Sequence, residues 1–81
     1  MTVVVHLFAR AKDLAGADAV SVSLPEAATI SVLRKQLAKD HPRLGSLLAH
    51  CAFAVDSEFA EDKCPLSSQA EIALLPPVSG G

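Results

Sequence analysis

The chain has no tryptophan, no tyrosine and only three phenylalanines, Phe8, Phe53 and Phe59. With 14 alanines among its 81 residues, its core has to rest on Leu and Val rather than on aromatic bulk. Cysteine is also scarce. Cys51 and Cys64 form no C-x-x-C pair and have no histidine at metal-ligand spacing, which excludes a disulfide scaffold and a zinc module. Each is read as a small buried hydrophobe. Basic runs are absent, with seven Lys and Arg set against nine Asp and Glu for a net charge of −2. That argues against a nucleic-acid partner. The longest uncharged stretches, Leu44–Val55 and Ile72–Gly81, are too short to span a bilayer. The apolar Val3–Ala9 has no basic residue before it, so it reads as a strand rather than a signal peptide, and the expected location is the cytoplasm.

What is present is enough for one small domain. Apolar residues make up 51% of the chain, which excludes intrinsic disorder. Thr2–Ala9 is β-branched and apolar and predicts a strand, with Val3, Val5 and Leu7 on one face and Val4, His6 and Phe8 on the other. Arg10–Gly16 predicts one or two helical turns stopped by glycine. Ala19–Leu24 alternates apolar residues with serine, the pattern of a half-buried strand ended by Pro25. Thr29 is placed as the N-cap of the main helix, Ile30–Asp40. Ile30, Leu33, Leu37 and Ala38 form its apolar stripe, and Arg34, Lys35 and Lys39 are directed largely to water. Leu44–His50 predicts a second short helix with Leu47 and Leu48 inward. Cys51–Val55, Glu58–Ala60 and Glu71–Leu75 predict three further strands, the first two joined by a turn at Asp56-Ser57. Pro76-Pro77 then forbids further ladder donation.

This order of elements predicts an α+β fold in which one helix crosses one mixed sheet, with the crossover making a late strand parallel to the first. That arrangement is a β-grasp, or ubiquitin-like, fold; other small α+β arrangements remain open at this level. The expected organisation is a single domain over residues 1–77 and a flexible tail over 78–81.

An internal active site is not legible. His6, His41 and His50 are scattered, without a base-and-orienter partner, and no metal site is expected. No glycine-rich loop follows a strand to cradle phosphate. The end of the chain is more informative. Gly80 and Gly81 lack Cβ atoms, so backbone can approach backbone closely in a narrow channel. Four residue steps beyond Pro77 reach at most about 14 Å when extended, enough to carry the terminal carboxylate into another protein's active site. A carboxylate is a poor electrophile, but adenylation would give it a leaving group that sulfur could displace, yielding a thiocarboxylate. The competing reading is a disordered end. Strand parity adds a second feature. Phe8 shares a face with His6, Leu75 shares one with Glu71, and Phe59 follows Glu58 on a short return strand. Three large apolar side chains at nominally exposed positions mark a partner patch, unless curvature or a loop covers them.

The segments VHLFARAKDLAG, ATISVLRKQLAKDHP, FAVDSEFAEDKCPL and EIALLPPVSGG together resemble the small, sulfur-carrier subunit of molybdopterin synthase, within the ubiquitin-like sulfur-carrier superfamily. PPVSGG is the strongest of these motifs, because the Pro-Pro is more typical of the molybdopterin branch than a bare Gly-Gly. The resemblance implies a β-grasp fold and no cofactor bound by the chain itself. It implies an activating enzyme that uses ATP to adenylate Gly81, a sulfur donor that converts it to a thiocarboxylate, and a large synthase subunit that accepts the tail. Sulfur would then pass to cyclic pyranopterin monophosphate. Gly81 maps onto the reactive glycine, and Gly80 onto the glycine before it in the tunnel, with Ser79 and Val78 completing the inserted tail. Phe8, Phe59 and Leu75 map onto apolar positions used against the large subunit. Two departures stand out: Asp56 where Asn is frequent, and Ser68-Gln69-Ala70 where a glycine-containing turn is common. Alternatives are a sulfur carrier of thiamine thiazole, cysteine or tRNA thiolation pathways, and a ubiquitin-like binding module without carrier chemistry.

Overall fold

Alternation in the first segment builds the centre of the sheet. In a computed structural model that describes residues 1–75, β1 runs Thr2–Leu7 and buries Val3, Val5 and Leu7 while Thr2 and Val4 face outward. The strand stops two residues short of the predicted Ala9. Phe8 is still extended, but Ala9 takes φ 52°, a left-handed conformation that turns the chain into α1, Ala9–Ala15. Gly16 closes that helix at φ 73°, and its N–H donates to the Lys12 carbonyl at 2.9 Å. β2, Ala19–Ser23, returns antiparallel to β1 with Val22 opposite Val3.

The main helix α2 spans Ile30–Asp40 as predicted, and its stripe Ile30, Leu33 and Leu37 is fully buried, with Ala38 half-buried beside it. Thr29 stands at the N-cap position, but its hydroxyl makes no capping hydrogen bond. The first helical N–H groups are satisfied from a distant loop instead. Ile30 N–H donates to the Cys64 carbonyl and Ser31 N–H to the Asp62 carbonyl, each at 3.0 Å. At the other end Pro42 starts a new element rather than only ending the old one. Pro42–Leu44 forms a 3-10 turn that leads into α3, Gly45–Leu48. Leu44 and Leu48 are buried, and Leu47, predicted inward, is only half-buried.

β3 (Ala52–Val55) and β4 (Glu58–Ala60) form a hairpin through Asp56 and Ser57, which both have positive φ. That is the backbone of a two-residue type I′ loop. The Asp56 side chain also accepts from Glu71 N–H at 3.0 Å, and Asp56 N–H donates to the Glu71 carbonyl at 2.8 Å. The hairpin tip is thereby stitched to the start of β5, Ile72–Leu75. The Ser67–Ala70 turn closes with Ala70 N–H on the Ser67 carbonyl at 3.1 Å, and no residue in it has positive φ. No glycine is needed there.

The sheet order is β2-β1-β5-β3-β4, with β5 parallel to β1 and antiparallel to β3. The helices cover one face. Between helices and sheet lies the core, in which Val3, Val5, Ile30, Leu33, Leu37, Leu44, Phe53, Ile72 and Leu74 show no solvent exposure. Each such aliphatic side chain contributes roughly 1.5–3 kcal/mol on burial. Arg34 corrects the sequence reading. It does not point to water: its guanidinium donates to the Leu48 and Cys51 carbonyls, pairs with Asp62 at 3.2 Å, and lies 5.0 Å from the Phe53 ring centroid. One side chain therefore ties α2 to α3, β3 and the loop before β5.

Candidate partner face and strand exit

The face of the sheet opposite the helices is uncovered among the described residues. Strand registers put its residues in line. His6 pairs with Ala73, Ala73 with Ala54, and Ala54 with Phe59, giving one row across four strands. The next row toward the exit of β5 contains Leu75 and Ala52. Because Leu7 is opposite Leu74, continuing the parallel register sets Phe8 beside Leu75. The result is a shallow floor of half-buried alanines with larger apolar groups around it. Phe59 is 77% exposed, Phe8 48% and Val4 44%. Two of the chain's three phenylalanines are thus exposed on this face, which makes it the candidate contact surface.

The structure therefore brings the three predicted interface residues to one face, with Leu75 half-buried between its neighbours and the two phenylalanines at the periphery. Val4 belongs to the same face and was legible from its parity with His6. The alanine floor was not. Ala52, Ala54 and Ala73 read as ordinary strand alanines until the registers align them. The predicted tail residues Val78, Ser79, Gly80 and Gly81 lie outside the described residues.

Among the described residues no polar or charged side chain is buried. Cys51 is buried, and burial pushes its thiol up from the usual range, an effect the nearby Arg34 charge only partly offsets. It stays a thiol and not a nucleophilic thiolate near neutrality. Cys64 is half-buried, with its Sγ 3.5 Å from the Pro65 carbonyl. The Lys12 ammonium, bonded to Asp18 at 2.7 Å, is held above the usual lysine range by that hydrogen bond and charge, on an exposed surface. Among the described residues no group of His, Cys, Asp and Glu could hold a metal ion, and no helix is long and apolar enough to cross a membrane.

Comparison with known proteins agrees with this geometry. The sequence model of the ThiS family matches residues 5–81. The chain belongs to the ThiS family. A molybdopterin synthase sulfur carrier subunit from Chlamydomonas reinhardtii is 34% identical, with both chains covered completely. The resemblance carried by PPVSGG and the three segments before it is thus found independently over the full length. Among solved structures, a crystal structure of SAMP1 from Haloferax volcanii superposes with a TM-score of 0.86 at 30% identity, covering all of both chains. A complex of subunits 1 and 2 of molybdopterin-converting factor from Helicobacter pylori contains a chain matched at TM-score 0.70 and 28% identity, again over all of both chains. The β-grasp fold expected from the order of elements is the observed one.

Proposed function

We propose that the chain is the sulfur-carrier subunit of a molybdopterin synthase, with residues 1–77 as the folded body and 78–81 as the arm that carries sulfur. The observation that carries this reading is the 34% identity to a molybdopterin synthase sulfur carrier subunit across the whole of both chains. Two features of the chain support it: an uncovered apolar face beside the exit of β5, and a Gly80-Gly81 terminus six residues beyond Leu75.

In this reading the Gly81 carboxylate attacks the α-phosphorus of ATP on an activating enzyme, releasing pyrophosphate. Sulfide released by a donor then attacks the acyl carbon, AMP leaves, and the terminus becomes a thiocarboxylate. The thiocarboxylate enters the large synthase subunit, its sulfur bonds to a carbon of cyclic pyranopterin monophosphate, and water cleaves the resulting thioester, leaving the sulfur on the pterin and regenerating the Gly81 carboxylate. Val78, Ser79 and Gly80 line the inserted tail, and the two glycines fit where a Cβ would obstruct. Phe8, Phe59 and Leu75 anchor the open sheet face on the large subunit. The chain itself binds no cofactor; catalysis belongs to its partners, and the cycle runs in the cytoplasm.

The test is the intact mass of the protein after incubation with ATP, an activating enzyme and a sulfur source. The expected result is a gain equal to exchanging one oxygen for sulfur, absent from a chain lacking Gly81. No gain with an activating enzyme competent on another carrier would overturn the reading. Gly80→Val and Gly81→Ala should leave the fold intact and sharply lower loading or transfer. A second reading comes from the likeness to SAMP1, whose full name among solved structures is small archaeal modifier protein 1. In that reading the chain would be joined to another protein as a modifier, giving a protein-sized mass adduct instead of a sulfur exchange.

A further inference from the structure

Charge is unevenly distributed along the chain. Six of the seven Lys and Arg residues lie before residue 52, whereas Asp56, Glu58, Glu61, Asp62 and Glu71 lie after it. Between α1 and the turn leading into α3, a hollow of about 620 Å³ is lined by Arg10, Leu14, Arg43, Ser46, Leu47 and His50. Its floor is apolar. Leu14 and Leu47 are half-buried and pack on the core. Its rim is basic and exposed, and no carboxylate lines it. Among the described residues neither Arg10 nor Arg43 has an ion-pair partner; the side-chain pairs there are Lys12–Asp18 and Arg34–Asp62. An adjoining hollow past Leu14 and Arg43 contains Asp40, whose Oδ1 accepts from Gln36 Nε2 at 2.8 Å.

Position gives the hollow a second meaning. Leu75 ends β5 opposite Ala52 of β3, and the continued register sets Phe8 on its other side. Arg10 is two residues beyond Phe8, and His50 is two residues before Ala52. The two basic groups therefore come from the segments that flank the end of β5, one from each side.

We propose that this groove is a docking site for an acidic, leucine-bearing segment of a partner protein, separate from the open sheet face. Two unpaired guanidiniums over an apolar floor match carboxylates flanking an aliphatic side chain. Guanidinium forks favour carboxylates geometrically, no acid lines this groove, and Asp40 of the adjoining hollow is engaged by Gln36 and makes no ion pair with Arg43 among the described residues. A second copy would have to offer an acidic surface that lies outside this groove. Such a contact is head-to-tail and propagates instead of closing, which disfavours it as a specific partner. The inference goes beyond the carrier reading and does not require it.

The test is a backbone-amide NMR titration of the full chain with a synthetic hexapeptide, Glu-Asp-Leu-Leu-Glu-Asp, capped at both ends. Saturable shifts are expected at Arg10, Leu14, Arg43, Leu47 and His50. Binding should weaken about tenfold or more in an Arg10→Glu/Arg43→Glu double variant, and similarly in high salt. Both arginines are exposed, so the variant should melt at the parent temperature. A peptide with serine in place of leucine should bind clearly more weakly. Four results would overturn the proposal: no shifts at millimolar peptide, equal shifts with inorganic phosphate alone, shifts confined to the open sheet face, or the same shifts on concentrating the protein without peptide. The titration needs neither ATP nor sulfur, so its failure leaves the mass test of the carrier reading untouched.

Discussion

The two faces of the sheet are made by the same strands and are both rich in apolar residues, yet they do different work. On the covered face, Val3, Val5, Phe53, Ile72 and Leu74 lose all contact with solvent. On the open face, Val4, Phe8 and Phe59 keep between 44% and 77% of their exposure over a floor of alanines. Hydrophobicity alone does not distinguish them. What does is the presence of a layer above: α2 and α3 lie on one face, and nothing among the described residues lies on the other. Apolar area already buried contributes to folding, whereas apolar area still exposed can contribute only to association.

That contrast can be broken residue by residue. The largest effect is expected at Phe53→Ala, which empties the core beneath the Arg34 guanidinium and should cost about 3–5 kcal/mol in chemical denaturation. A loss below about 1 kcal/mol would mean the covered face is not the main source of stability. Next is Arg34→Met, which keeps the stem but removes the donors to the Leu48 and Cys51 carbonyls. It should cost roughly 2–3 kcal/mol, more than a surface ion pair contributes. Phe59→Asp and Phe8→Asp on the open face should change stability by only about 0.5 kcal/mol. Their effect should appear as weakened binding to a large synthase subunit. Unfolding without a separable binding defect would move Phe8 into the core. Smaller still, Ser57→Gly should stabilise by less than about 1 kcal/mol, because relief of the roughly 1–2 kcal/mol left-handed cost at Ser57 outweighs the roughly 0.5–1 kcal/mol of extra chain entropy that glycine loses on folding, and the Asp56 bond to Glu71 is retained.

Alkaline pH gives a further contrast. Burial raises the Cys51 thiol in the folded state, so the stability it confers is complete below its unfolded value near 9.0 and declines as pH rises through the folded value. Lys12, raised by Asp18, loses its contribution in the same direction, starting above 10.5. Cys51→Ala should flatten the decline that begins near pH 9, and an unchanged profile would place its origin elsewhere.

Much of this was legible in one dimension. A β-branched apolar run located β1, period-2 alternation located β2, period-3.6 spacing located α2 with its buried stripe, and Gly16 marked the end of α1. The parity of Phe8 and Leu75 also anticipated the open face. Other features could not be read from local sequence. Arg34 looks like a solvated helix charge because its partners, Leu48, Cys51 and Asp62, are 14 to 28 residues away. Thr29 looks like a helix cap, but the loop at Asp62–Cys64 reaches the same N–H groups first. The groove between α1 and α3 joins residues from two helices and a turn that share no motif.

By itself the sequence determined the alternating and helical periods, the order of elements and the Gly-Gly terminus, because these depend only on neighbouring side chains and backbone preferences. Tertiary structure decided which apolar face would be covered, which arginine would be drawn inward, and which alanines would align into a floor. Those outcomes depend on strand register and on contacts between residues far apart in the chain, and a one-residue change of register would send every side chain of a strand to the opposite face.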